Sequence, residues 1–179
     1  LESKTIGFVP TMGALHDGHL SLIYESSRKC AVTVVSIFVN PLQFGKNEDF
    51  SKYPRTLESD IEKCASAGAD VIYAPTDEDM YPHGFNCNVS VPLLSQKYEG
   101  AIRPGHFDGV CTVVLKLFNI VHPTIAFFGQ KDAQQVLVIK KMVKDLNVDT
   151  QIAVMPIVRE STGLAMSSRN RYLSESELK

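Results

Sequence analysis

Two histidines that could bind a phosphate group lie in the stretch PTMGALHDGHLSLI, residues 10–23. His16 and His19 flank Gly18, between an apolar strand-like run and a helix-like run. A helix N-terminus offers unpaired N–H groups and the positive end of the helix dipole, and glycine lets a ligand approach the backbone. Imidazoles there can donate to phosphoryl oxygens as their charge grows in a transition state. The alternatives are two surface histidines in a turn, or a zinc site for which no third ligand is evident.

Three further polar clusters follow predicted strands. Asn40 and Gln43 come after the second strand, GQKD (129–132) after the stretch TIAFF, and MSSRN (166–170) after the last strand. In an open α/β sheet, ligands bind beyond the carboxyl ends of the strands. We therefore expect the four clusters, including the histidines, to converge on one edge of the sheet.

The chemistry of these clusters suits an anionic ligand beside a small hydroxy acid. Lys131 can neutralise a transferring phosphoryl group, and residues 167–169 supply two hydroxyls and a guanidinium for a phosphate clamp. Gln43 and Gln135 are amides that could hold a hydroxy acid. Taken singly, the lysine could be a solvated surface residue and residues 167–169 a polar linker.

The elements that must position these residues alternate along the chain. Strands are predicted at 5–9, 31–39, 70–75, 124–129 and 150–156, and helices at 18–30, 57–67, 110–121 and 132–146. Leu57, Ile61, Cys64 and Leu146 are expected to face inward, and a short strand is expected near NVSV (88–91). The alternation predicts the α/β class with a doubly wound parallel sheet.

Composition excludes some classes of function. The formal net charge of −2 gives no broad basic field, so no nucleic-acid partner is expected. No apolar run approaches the ~18 residues of a membrane span, and no signal peptide is seen, so we expect a cytoplasmic protein without a membrane partner. The four cysteines lack a C-x-x-C pair and are expected to be free, buried thiols. Because the chain does not open with Met, we expect it to be a fragment or a processed form.

Several strings together resemble the pantothenate synthetase (pantoate–β-alanine ligase) family. They run in order over nearly the whole chain: PTMGALHDGH, SIFVNPLQF, YPRT, RPGHFDGV, FFGQKDAQQ and GLAMSSRNRYLS. The resemblance implies a Rossmann-like nucleotidyltransferase fold, in which His-x-Gly-His and Ser-Ser-Arg are the two nucleotide signatures of the class I aminoacyl-tRNA synthetase-like enzymes.

The resemblance also implies a two-step reaction. The carboxylate of pantoate attacks the α-phosphorus of MgATP, which gives pantoyl adenylate and pyrophosphate. The amine of β-alanine then attacks the acyl carbon, which gives pantothenate and AMP. The implied partners are pantoate, β-alanine, ATP and a second copy of the chain in a homodimer; no organic cofactor is expected.

Family roles are carried over residue by residue. Catalytic roles fall to His19, the family's proton donor, and to His16, Lys131, Ser167, Ser168 and Arg169. ATP is expected on Met12, Gly13, Ala14, Leu15, His16, Asp17, Gly18, His19, Gly129, Gln130, Lys131, Asp132, Val158, Met166, Ser167, Ser168 and Arg169. Substrate is expected on Gln43 and Gln135, with Asn40 and Tyr53 as nearby candidates; Gln43 also reaches the β-alanine position.

The chain departs from the family pattern at two places. Gln130 replaces an acid, and its side chain is expected to point away from the site. Some members have paired acids that could help to hold magnesium; here Asp60 is preceded by Ser59. We therefore expect no protein metal ligand, with Mg²⁺ held by ATP phosphates and water.

Family members are also longer at both ends. We expect an ATP- and pantoate-binding domain over 1–157 and the start of a C-terminal lid domain over 158–179. The chain alone is expected to fold and bind ATP but to turn over poorly, because residues 166–169 would have little to pack against.

Two alternative functions remain open at this point. A related adenylyltransferase would need basic residues for a phosphate on its acceptor, which the surroundings of Gln43 and Gln135 do not supply. A truncated nucleotide-binding or dimerisation module would bind ATP without catalysis. Pantoate-dependent ATP–pyrophosphate exchange separates a ligase from both.

Overall fold

The five strands of the described residues form one parallel sheet. A computed structural model describes residues 4–45 and 48–174, apart from the side chain of Arg171. The strands are β1 (Ile6–Thr11), β2 (Val32–Ile37), β3 (Val71–Tyr73), β4 (Ile125–Gly129) and β5 (Gln151–Met155). All neighbours pair in parallel in the order β3-β2-β1-β4-β5. The order grows outward from β1 in both directions, so the predicted doubly wound α/β sheet is confirmed.

Helices cover both faces of the sheet. They are α1 (Asp17–Lys29), α2 (Leu57–Ser66), α3 (Asp77–Met80), α4 (Pro92–Ser95), α5 (Glu99–Ile102), α6 (His106–Val121) and α7 (Ala133–Asp145). Short 3₁₀ turns occupy Pro41–Gln43, Gln130–Asp132 and Ser168–Tyr172. Because successive strand residues point to opposite faces, Phe8 packs toward α6 and α7 while Val9 packs toward α1 and α2.

The segment between β3 and α6 differs from the prediction. The expected strand near residues 88–91 is not formed; these residues are irregular and are followed by two one-turn helices, α4 and α5. The Val89 N–H donates to the Thr112 hydroxyl of α6 at 3.0 Å rather than to another strand. The segment therefore attaches to a helix and not to the sheet edge.

Three residues expected to face inward are exposed instead. Leu57, Ile61 and Leu146 are 45%, 43% and 50% exposed. On α2 the buried positions are Asp60 and Cys64, because the helix turns its carboxylate toward the loop after β1. Leu146 is the C-cap of α7, beyond the helical stripe that packs on the core.

The cysteines are free, as predicted, but not all are buried. Cys64 and Cys111 are buried, Cys30 is partly buried and Cys87 is exposed. Within residues 4–45 and 48–174, no helix is both long and apolar enough to cross a bilayer.

Candidate functional site

A cleft of about 180 Å³ lies at the carboxyl edge of the sheet and collects residues from all four predicted clusters. The predicted residues that line it are Met12, His16, Gly18, His19, Gln43, Tyr53, Gly129, Lys131, Asp132, Gln135, Val158, Met166, Ser167, Ser168 and Arg169. They lie far apart in sequence, and the parallel strand order brings them together.

The other predicted residues lie outside the lining of this cleft. Ala14 and Leu15 are buried in the loop behind it, together with Gly13, while Asp17 and Gln130 are exposed. Asn40 lines an adjoining cavity of about 160 Å³, which shares Met12, His19 and Gln43 with the cleft.

The two histidines are fixed by the first turn of α1. His16 is the N-cap residue, and its Nδ1 accepts from the Gly18 N–H at 3.2 Å. The His19 Nδ1 accepts from the His16 N–H at 3.3 Å, which completes a capping box. Since each Nδ1 is an acceptor, each neutral ring carries its proton on Nε2.

The surroundings of His19 favour its neutral form. Burial, followed by the electrostatic effects of His16, Lys131 and Lys63, lowers the pKa of His19 to about 3. The His16 and His19 ring centroids are only 4.1 Å apart, so protonation of one ring disfavours protonation of the other. At neutral pH, His19 therefore offers an Nε2–H bond rather than an imidazolium charge.

The Gln43 amide is oriented by a chain of hydrogen bonds through Asn40. The Asn40 Oδ1 accepts from the Leu42 N–H and, at 2.7 Å, from the Tyr81 hydroxyl; its Nδ2 donates to the Gly109 carbonyl. That same Nδ2 donates to the Gln43 Oε1 at 3.0 Å, so the Gln43 Nε2 turns toward Met12, 3.1 Å from its Sδ. Gln43 therefore presents a donor, not a carbonyl, at the cleft.

The segment with the two serines and arginine is docked on the loop before α2. The Ser168 and Tyr53 hydroxyls are 3.1 Å apart, and the Arg169 guanidinium donates twice to Asp49 at 3.2 and 3.3 Å. The Tyr172 hydroxyl donates to the same Asp49 carboxylate at 3.4 Å. The expectation that residues 166–169 have little to pack against is therefore wrong: the contacts come from residues 49–53, which sequence spacing did not connect to them.

Two residues on the wall of the cleft were not predicted from the sequence. Arg103 and His106 line the cleft, with Arg103 paired to Glu48 and Glu99. The His106 Nδ1 lies 2.8 Å from the Gln43 carbonyl oxygen. The string RPGHFDGV contains both residues, but nothing in its spacing shows that they face Gln43, 60 and 63 residues away.

Lys131 lines the same cleft as the histidines, in the 3₁₀ turn after β4. Its Nζ is 3.0 Å from the Asp132 carboxylate, and both side chains are partly exposed. A weakly paired ammonium group at this place can turn to an anionic ligand, because an exposed ion pair contributes little energy.

A parallel, doubly wound sheet with a His-x-Gly-His turn at the carboxyl end of its first strand defines a Rossmann-like domain of the nucleotidyltransferase type. The family model described as pantoate-beta-alanine ligase matches residues 1–179. The chain belongs to the pantoate–β-alanine ligase family.

Similar proteins agree with this assignment. The pantothenate synthetase of Caldicellulosiruptor bescii is 60% identical over 99% of this chain and 63% of its own length. The solved pantothenate synthetase of Thermus thermophilus has a TM-score of 0.96 at 52% identity, over 97% of this chain and 63% of that one. A Francisella tularensis pantoate–β-alanine ligase, solved with β,γ-ATP and β-alanine, has a TM-score of 0.94 at 45% identity, over 98% and 68%. The chain thus spans a little under two thirds of the curated relative.

Proposed function

We propose that this chain provides the ATP and pantoate sites of a ligase that condenses pantoate with β-alanine through pantoyl adenylate. The observation that carries the proposal is the single cleft in which the paired histidines, Lys131 and the Ser167–Arg169 segment face Gln43 and Gln135. The Francisella relative, whose solved structure contains β,γ-ATP and β-alanine, supports the same ligands here.

The phosphate side of the cleft suits adenylate formation. The pantoate carboxylate attacks the α-phosphorus of MgATP, and the bond to the bridging oxygen breaks as pyrophosphate leaves. The His19 Nε2–H can donate to a phosphoryl oxygen, and Lys131 can neutralise the departing charge. Residues 167–169 add hydroxyl and guanidinium donors, with Met12–His19 and Gly129–Asp132 flanking the nucleotide and Val158 near the adenine.

The other side of the cleft suits pantoate. The Gln43 Nε2 is an N–H donor at the cleft, and a carboxylate or hydroxyl oxygen is a stronger acceptor for it than the Met12 Sδ. Gln135 and Tyr53 line the same cavity. In the second step the β-alanine amine, positioned near Gln43, attacks the acyl carbon and AMP leaves.

The remaining expectations are part of this proposal. They are a domain division at residue 157, a cytoplasmic homodimer, and Mg²⁺ carried by ATP rather than by protein ligands. The free cysteines are compatible with a reducing compartment.

Calorimetric titration tests the proposed function directly. The chain is titrated with MgATP and, separately, with pantoate in the presence of a non-hydrolysable ATP analogue. Pantoate-dependent exchange of pyrophosphate into ATP is measured beside it, with a full-length pantothenate synthetase as the positive control. A ligase site binds both ligands, even if exchange by the chain alone is slow. Binding of MgATP without pantoate would instead favour a nucleotide-binding module, and a preference for a phosphorylated acceptor would favour an adenylyltransferase.

A further inference from the structure

The loop between β1 and α1 has a backbone shape that Ala14 does not favour. Gly13 has φ +79° and Ala14 has φ +51°, so two consecutive residues are left-handed. Glycine adopts this region freely, but alanine does so at a cost because its Cβ approaches the following carbonyl oxygen. Contacts from outside the loop must therefore hold it.

Those contacts come from one side of α2. The Asp60 carboxylate accepts the Ala14 N–H at 2.9 Å through Oδ2 and the Leu15 N–H at 2.8 Å through Oδ1. The Asp60 side chain is completely buried, and Thr56 donates a third hydrogen bond to its Oδ2 at 3.0 Å. One turn along the helix, the Lys63 Nζ donates to the Leu15 carbonyl at 2.8 Å. The negative Asp60 thus holds two N–H groups of the loop, and the positive Lys63 holds the carbonyl group that follows them.

The loop held in this way leads directly into the histidines. Leu15 precedes His16, the N-cap of α1, and Met12 on the other side of the loop lines the cleft. A shift at Ala14 or Leu15 would move the His16 ring and the first turn of α1 that carries His19. We propose that Asp60 and Lys63 are positioning residues that set the geometry of the nucleotide site by holding Gly13–Leu15; this inference rests on the proposed function.

The same contacts argue against a magnesium role for Asp60. Both carboxylate oxygens are directed at backbone N–H groups, and neither Asp60 nor Ser59 lines the cleft with the histidines. A cation at Asp60 would have to compete with the three hydrogen bonds that this carboxylate already accepts from Ala14, Leu15 and Thr56. Loss of this carboxylate should weaken nucleotide binding in a way that added Mg²⁺ does not restore.

The test compares three variants of the chain. Asp60→Asn is nearly isosteric but places an NH₂ group against a backbone N–H. Lys63→Met removes the ammonium group and leaves the Asp60 carboxylate in place. Glu62→Gln, an exposed position between them on α2, is the matched control. Two quantities are measured: hydrogen exchange of the Ala14 and Leu15 amides by NMR, with the Val9 amide of β1 as an internal reference, and the Kd for MgATP at low and high free Mg²⁺.

Asp60→Asn is expected to speed exchange at Ala14 and Leu15 and to raise the Kd for MgATP, each about tenfold or more, with Val9 unchanged. Lys63→Met should shift the Kd in the same direction by a smaller factor, and this variant decides the matter if Asp60→Asn does not fold. A Kd within about twofold of the wild type in the folded variants would overturn the inference. So would weak binding that high Mg²⁺ restores. A wild-type chain that fails to bind MgATP would instead overturn the proposed function, and this is seen before any variant is compared.

Discussion

The orientation of the Gln43 amide predicts that Gln43→Glu harms pantoate binding more than Gln43→Ala does. The Asn40 Nδ2 donates to the Gln43 Oε1, so the Nε2 end of the Gln43 amide faces the cleft. In the wild type that end is an N–H donor. Glutamate would keep the bond from Asn40 and place a second carboxylate oxygen where the donor was.

The magnitude follows from burial and charge. Gln43 is only 8% exposed, so water screens the site poorly. Removal of the donor by alanine costs about 1–3 kcal/mol. Two carboxylates about 4 Å apart at an effective dielectric constant of about 20 repel each other by about 4 kcal/mol. The Kd for pantoate should therefore be at least about tenfold larger for the glutamate variant than for the alanine variant.

The assay is calorimetric titration of pantoate against each variant with a non-hydrolysable ATP analogue present. Gln151→Glu introduces the same charge at an exposed position at the start of β5 and serves as the control. If Gln43→Glu binds pantoate as tightly as Gln43→Ala, the assigned orientation of the amide, or its placement on pantoate, is wrong. A large defect in ATP binding by Gln43→Ala would show that the residue contacts the other ligand.

Three further variants test other parts of the site. His19→Ala should lower the rate of pyrophosphate exchange by about 10²–10³-fold, and near-normal exchange would remove His19 from the mechanism. Because the pKa of His19 is about 3, its titration should give no acidic limb in the pH profile of kcat/KM between about pH 5 and 7. Lys131→Met should reduce turnover more than ATP affinity, since charge on the leaving pyrophosphate grows in the transition state; an equal loss in both, with the saturated rate unchanged, would contradict this. Tyr81→Phe should weaken pantoate about two- to tenfold without affecting ATP, because Asn40 Oδ1 keeps only the Leu42 N–H; an unchanged pantoate Kd would show that the Tyr81 hydroxyl does not help to orient Gln43.

The fold and the meeting of the clusters could be predicted because both depend on local pattern and on a topological rule. Each β-branched run and each apolar stripe is visible in a short window, and parallel strands place their carboxyl ends at one edge. His16 and Lys131, 115 positions apart, needed only that rule to be placed in one cleft.

Features that depend on long-range polar contacts could not be predicted. Asp60 lies on a helix whose apolar spacing favours Leu57 and Ile61 as the inward residues. The Asp60 carboxylate is nevertheless turned inward, where it accepts hydrogen bonds from two backbone N–H groups 46 and 45 residues away in sequence. Arg103 likewise donates a hydrogen bond to Glu48, which lies 55 residues away in sequence. Periodicity reports which residues could face a core; it does not report that a helix turns a charged side chain inward to hold a loop.

The docking of the Ser-Ser-Arg segment was missed for the same reason. Its sequence is polar and breaks the strand–helix pattern, which favours a segment without partners. Asp49 and Tyr53 supply those partners through a guanidinium and two hydroxyl contacts. Single polar contacts of this kind leave no periodic signal in a sequence.

A crystal structure of the chain soaked with a non-hydrolysable ATP analogue and pantoate tests the central proposal most directly. The proposal places the triphosphate against Gly18, His19, Lys131 and residues 167–169, with the pantoate carboxylate near the α-phosphorus and its polar groups on Gln43 and Gln135. A nucleotide bound away from His19 and Lys131, or pantoate density away from both glutamines, would contradict it.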